Sequence, residues 1–154
     1  MKSTVFSYLQ LAARVVLGVV FIYASAHKIM EPEGFAEAIA NYQILPAALV
    51  NPSALLLPWV ELVCGICLVF GVLSRGSALI LAALLVIFIW ALGFSIYRGL
   101  DISCGCFSTS NGGIGSMYAD IAADLLLLSI ALWVLFRPSK TKSIPITPYR
   151  SKRS

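Results

Sequence analysis

The four cysteines are the residues of this chain best suited to chemistry, and they fall into two closely spaced pairs. Cys104 and Cys106 are separated by one glycine, which permits the backbone bend that brings two sulfur atoms within disulfide reach. So small a ring is strained, and strained, exposed disulfides are the labile, redox-active ones. This pair therefore predicts thiol–disulfide exchange at a catalytic dithiol. A structural cross-link and a metal-binding role are the alternatives.

The second pair, Cys64 and Cys67, has the C-x-x-C spacing of thiol oxidoreductases but lies inside a long apolar stretch. Residues three apart share a helix face, so both thiols can point the same way. A buried cysteine also behaves as a small hydrophobe, and small residues allow close packing between membrane helices. We expect packing here, with a second redox pair as the alternative. The two pairs lack the arrangement of a zinc ribbon, so no metal site is predicted.

Charged residues inside apolar stretches form a second set of candidates: Arg14, Glu61, Asp120 and Asp124. An ionisable side chain within a membrane costs several kcal/mol unless it is paired, so such residues indicate pairing or function. With a rise of about 1.5 Å per residue, Arg14 and Glu61 lie within one turn of the same depth. This predicts an Arg14–Glu61 ion pair, either as a purely structural contact or as part of a site.

The single histidine, His27, lies beside Lys28 at the predicted outer end of the first apolar stretch. A histidine there could exchange a proton with a bound quinone, because its charge changes near neutral pH. Together with Trp59 and Glu61, these two residues form the candidate cofactor site. The alternative is a solvated helix end and an ordinary packing tryptophan.

The composition shows what must position these residues. The chain has 154 residues, of which 60% are hydrophobic and 12% charged, and its mean hydropathy is +0.92. A membrane-spanning helix needs roughly 20 apolar residues, and backbone groups in lipid must pair internally. The sequence therefore predicts an all-α, up-down four-helix bundle in residues 1–137, and it excludes an additional soluble hydrolase or nucleotide-binding domain. The predicted spans are about 5–26, 54–73, 77–97 and 118–136.

The basic residues predict the orientation of this bundle. Residues 138–154 form a basic tail that we expect to be disordered and attracted to anionic lipid. Because Lys and Arg are retained in the cytoplasm, both termini and the turn at Arg75 are predicted there. The loops at about 27–53 and 98–117 are predicted outside. The net charge of +4 thus reports orientation, and no nucleic-acid partner is predicted.

Two helical faces are predicted in and beside the first span. Small and charged residues share one face of the first helix, which should point into the bundle; they are Arg14, Gly18, Ser25 and Lys28. In the following loop, Phe35, Ala38, Ile39 and Tyr42 recur at helical spacing. This pattern predicts a short helix in the membrane interface, which ends near Leu45-Pro46.

Several of these segments, taken in order, resemble one family. The face of the first helix, Pro58-Trp59-Val60-Glu61 followed by Gly65 and Gly71, and Cys104-Gly105-Cys106-Phe107 are similar to the DoxX/MauE-type four-helix membrane proteins. The loop is closest to the MauE branch of methylamine utilisation, and the resemblance covers about residues 8–136. Ser108 stands where that branch has a final glycine, and Cys64 and Cys67 are outside its usual pattern.

The resemblance implies a bacterial inner-membrane protein with a periplasmic cysteine loop, which helps a disulfide-rich dehydrogenase subunit mature alongside a thioredoxin-like partner. The chain also resembles, more distantly, membrane oxidoreductases that pass electrons between disulfides and quinones. The resemblance favours retention of the first helix, although Ala24-Ser25-Ala26 imitates a signal-peptide cleavage site. The alternatives are a thiol carrier or transporter for soft metals such as Cu(I) or Hg(II), and a non-catalytic anchor subunit in the bilayer.

Overall fold

The computed structural model describes residues 2–99 and 114–136, and every element within these ranges is an α-helix. Four of the helices are long and apolar enough to cross a membrane, which confirms the prediction of an all-α, multi-pass protein. The fifth, α2, is short. The helices are α1 (Lys2–Met30), α2 (Pro32–Asn41), α3 (Ala47–Phe70), α4 (Ser74–Tyr97) and α5 (Ile114–Phe136).

The four long helices pack as two pairs, α1 with α3 and α4 with α5, which are joined through α3–α4 and α1–α5 contacts. At the closest approach of α1 and α3, a Cβ atom added to Gly18 would lie only 2.7 Å from the carbonyl oxygen of Gly65. Small residues allow such an approach between membrane helices. The predicted inward face of α1 is confirmed, because its four residues are buried.

Helix α3 begins at Ala47, earlier than the predicted residue 54, and it carries Pro52 and Pro58 in its interior. Prolines are tolerated inside membrane helices because neighbouring groups satisfy the carbonyls that they leave free. The helix ends at Phe70 and is capped by Gly71, whose φ of 78° is left-handed and therefore suits a glycine. The turn to α4 thus comprises Gly71 to Leu73, and Arg75 already lies in the first turn of α4.

The predicted short helix after the first span is present as α2. A proline starts it, and its buried residues Phe35, Ala38 and Ile39 are three of those whose spacing predicted it. Helix α2 packs mainly on α3 and closes one end of the bundle, called here the α2 end. Phe35 and Ile39 join an apolar cluster there with Phe88 and Leu92 of α4. The location of α2 in a membrane interface stays a prediction.

Candidate functional site

A buried ion pair joins α1 to α3 near the α2 end. The Lys28 ammonium lies 3.0 Å from Oε1 and 2.9 Å from Oε2 of Glu61, so it donates to both carboxylate oxygens. The two side chains are only 3% and 1% exposed. Helix side chains lean towards the N-terminus of their own helix, so Lys28, in the last turn of α1, reaches back into the bundle. The pair neutralises two charges that the apolar interior would otherwise exclude.

Two aromatic rings flank the ammonium of Lys28. Its Nζ atom lies 4.9 Å from the ring centroid of Phe35 on α2 and 5.2 Å from that of Phe88 on α4. The faces of aromatic rings attract cations, most strongly where water is excluded. Lys28 of α1 therefore contacts residues of three other helices, α2, α3 and α4. Sequence reasoning missed both aromatic contacts, because nothing in the spacing indicates which rings meet a distant lysine.

Asp124 of α5 adds a second carboxyl group beside this ion pair. It is 2% exposed, and its Oδ2 atom has no hydrogen-bond partner among the described residues. Lys28, Glu61 and Asp124 line one cavity of about 20 Å³, called here the polar cavity, which otherwise has apolar walls. That volume suffices for one water molecule. Three of the predicted candidates are thus brought together, from three different helices.

The predicted Arg14–Glu61 ion pair is not formed. Arg14, 9% exposed, donates from Nε to the carbonyl oxygen of Leu68 at 3.3 Å, and its guanidinium lies against Gly71. Arg14 is thus a second donor to a carbonyl in the last turn of α3, because the Leu68 oxygen also accepts a 3.2 Å hydrogen bond from the backbone N–H of Gly71. The error lies in the depth of Arg14, because Leu68 is about two helical turns further along α3 than Glu61.

The second cysteine pair is split between core and surface. Cys64 is buried in an apolar cluster with Leu17, Phe21 and Leu68, while Cys67 is half-buried, and both are free thiols. The surroundings of Cys64 are those of the expected packing role. Within residues 2–99 and 114–136, no three His, Cys, Asp or Glu side chains gather as a metal site.

The four predicted cofactor residues do not surround a common site. Lys28 and Glu61 line the polar cavity, but His27 is only half-buried and Trp59 is 51% exposed, and neither lines that cavity. A second cavity of about 200 Å³, called here the apolar cavity, lies between α2, α3 and α4. Its walls are apolar, and Phe88 is common to both cavities.

The predicted catalytic pair, Cys104 and Cys106, lies outside the described residues, between the end of α4 and the start of α5. The end of α4 is itself held at the α2 end, because Arg98 donates a 2.9 Å hydrogen bond to the side-chain oxygen of Gln43. Asp120, the remaining predicted residue, is half-buried about one turn before Asp124 on α5.

Four apolar helices around a buried, charged cavity define a small multi-pass membrane protein. Residues 6–137 match the family described as methylamine utilisation protein MauE. The chain belongs to this MauE family.

Three relatives, each named methylamine utilization protein MauE, are similar to this chain. The protein of Methylophilus methylotrophus is 34% identical over 137 residues, which is 87% of this chain and 71% of the relative. That of Paracoccus denitrificans is 36% identical over 97 residues, which is 62% of this chain and 52% of the relative. That of Methylorubrum extorquens is 34% identical over 85 residues, or 54% and 46%. The matches to the last two thus span about half of each relative. No solved structure matches the chain.

Proposed function

We propose that this chain acts in methylamine utilisation as a membrane-embedded thiol–disulfide exchange protein. Membership of the MauE family is the observation that carries the proposal, since the relatives are named for that process. The two cysteines of the α4–α5 connection, Cys104 and Cys106, are the proposed exchanging groups. The helical bundle anchors both ends of that connection in the membrane.

The proposed exchange runs through a mixed disulfide. The thiolate of one loop cysteine attacks a disulfide of a thioredoxin-like protein or client, and one client sulfur leaves as a thiolate. The second loop cysteine then attacks the mixed disulfide and releases the client's other sulfur. The client gains two electrons and becomes a dithiol, while Cys104 and Cys106 lose two electrons and become a disulfide. The reverse sequence oxidises the client by the same steps.

The proposed location is a bacterial inner membrane, with the cysteine loop in the periplasm. The support is the excess of Lys and Arg in the C-terminal tail, which favours a cytoplasmic tail. Four crossings then put both termini on the same side and the α4–α5 connection on the opposite side. No step is assigned to a quinone, because the four residues predicted for it do not share a cavity.

Single cysteine variants test this proposal in cells that carry the thioredoxin-like partner. Either Cys104→Ser or Cys106→Ser should abolish turnover, and the variant that keeps the attacking cysteine should accumulate a covalent adduct that a reductant releases. Cys64→Ser and Cys67→Ser are matched controls and should exchange normally. An unchanged redox state of the partner in both loop variants would contradict the proposal and favour an anchor subunit. A requirement for all four cysteines together with bound metal would contradict it in favour of a soft-metal carrier.

The proposed topology has a separate test. A maleimide that cannot cross membranes should label Cys104 or Cys106 in intact, reduced cells from outside, whereas cysteines introduced in the tail should be labelled only after lysis. Labelling of the tail from outside would reverse the proposed orientation.

A further inference from the structure

The polar cavity contains one basic group and two acidic groups. Lys28 comes from α1, Glu61 from α3 and Asp124 from α5, while α4 contributes only the apolar Leu85 and Phe88. The next acidic group on α5 is Asp120, about one turn from Asp124, and it adds no positive charge. If both cavity carboxyl groups were ionised, the site would carry a net negative charge inside an apolar bundle, at a cost of several kcal/mol.

The hydrogen bonds of the polar cavity are also incomplete, and the unsatisfied atom belongs to Asp124. Lys28 is committed to both oxygens of Glu61. Asp124 is 2% exposed, and its Oδ2 has no donor among the described residues. An ionised carboxylate only accepts hydrogen bonds, whereas a protonated carboxyl group also has an O–H that can donate. A proton on Asp124 therefore removes the excess charge and turns an orphaned acceptor into a donor.

We propose that Asp124 is a proton-binding site, which holds a proton at neutral pH beside the Lys28–Glu61 ion pair. The polar cavity has room for one water molecule, which would accept the hydrogen bond from the Asp124 carboxyl group. The charge balance of Lys28, Glu61 and Asp124 controls whether Asp124 holds this proton. Loss of the Glu61 charge releases the proton, because Lys28 then pairs with an ionised Asp124. This site is independent of the proposed cysteine exchange.

Infrared spectroscopy of the purified full-length protein in lipid nanodiscs at neutral pH tests the proposal directly. A protonated carboxyl group has a carbonyl stretching band that a carboxylate lacks. The chain contains three aspartates, Asp101, Asp120 and Asp124, so ¹³C labelling of aspartate carboxyl groups should shift the band in the unaltered protein. The band should vanish in Asp124→Asn and remain in the matched control Asp120→Asn. Absence of an aspartate-derived acid band in the unaltered protein would overturn the proposal.

The Glu61→Gln variant tests whether Asp124 is protonated because of the charge on Glu61 or only because it is buried. Asp124 is intact in this variant, yet the labelled acid band should disappear, since Lys28 becomes available to the Asp124 carboxylate. An acid band that persists in folded Glu61→Gln protein would overturn the control by charge balance. In Lys28→Met the labelled band should remain, and an unlabelled acid band from Glu61 should appear beside it. If the labelled band is lost there and only sodium restores stability, the site binds a metal cation and the proposal fails.

Discussion

The Lys28–Glu61 ion pair should make an unequal contribution to stability when one partner or the other is removed. In Lys28→Met, Glu61 loses both of its hydrogen bonds, of 2.9 and 3.0 Å, and stays 1% exposed next to a second acidic residue. Removing one partner of a buried pair costs about 3–5 kcal/mol, because the remaining carboxyl group must either keep an uncompensated charge or take up a proton. Each 1.4 kcal/mol is about tenfold, so the folded-to-unfolded ratio should fall by a factor between about 10² and about 4 × 10³.

The opposite change, Glu61→Gln, should cost less. The ammonium of Lys28 keeps its contacts with Phe35 and Phe88 and can turn to Asp124, which lines the same cavity. The loss is then about 1.5–3 kcal/mol, which is typical of a hydrogen bond to a charged group. The double variant Lys28→Met/Glu61→Met should be closer to the unaltered protein than Lys28→Met alone, because well-packed apolar residues can replace a buried pair.

Equilibrium unfolding in mixed detergent micelles, followed by circular dichroism, measures these differences. The matched control is Glu37→Gln, which changes an exposed glutamate on α2 and should shift the free energy of unfolding by less than about 0.5 kcal/mol. A Lys28→Met protein as stable as this control would refute the role given to the pair. So would a larger loss in Glu61→Gln than in Lys28→Met, since that order leaves Asp124 no part in compensating the lysine.

Three further predictions concern packing and thiol access. Gly18→Ala should lower the free energy of unfolding by about 1–3 kcal/mol, because the added methyl group overpacks against α3. Gly93→Ala is the control and should not lower it, because a Cβ atom at Gly93 would have no neighbour within 4 Å. Equal effects of the two substitutions would contradict the close approach of α1 and α3. Gly71→Ala should cost at least about 1 kcal/mol in the same assay, because its φ of 78° is strained for alanine; an unchanged stability would argue against the left-handed turn. In single-cysteine proteins in nanodiscs, a membrane-permeant maleimide should label half-buried Cys67 faster than buried Cys64, and faster labelling of Cys64 would contradict its place in the core.

The helical elements could be predicted because the signals that specify them are local. Each span is a run of apolar residues long enough for a bilayer, and α2 is indicated by Phe35, Ala38 and Ile39 at helical spacing after a proline. The inward face of α1 was predictable for the same reason, since its small and charged residues repeat with the helical period. The boundaries were less accurate where proline does not stop a helix, as at Pro52 within α3.

The partners within the site could not be predicted, because they depend on how helices are rotated and shifted against one another. Counting residues gives the depth of a Cα atom, but Lys28 reaches Glu61 through a long side chain that leans back into the bundle. The same counting misplaced Arg14, which lies beside the end of α3 instead. Asp124 was recognised as costly in a membrane, but its place beside the ion pair depends on the packing of α5 against α1.

The Lys28–Glu61 pair also has a consequence for the order in which the protein enters the membrane. Its partners are separated by 33 residues, so the ribosome needs about 2–7 s to supply Glu61 after Lys28, at roughly 5–20 residues per second. During that interval α1 carries an ammonium group whose counter-charge has not yet been synthesised. We therefore expect the insertion of α1 and α3 to be coupled, so that α1 reaches its final depth only as α3 arrives. Loss of the Glu61 charge should then reduce the amount of protein inserted during synthesis, before the stability of the finished bundle matters.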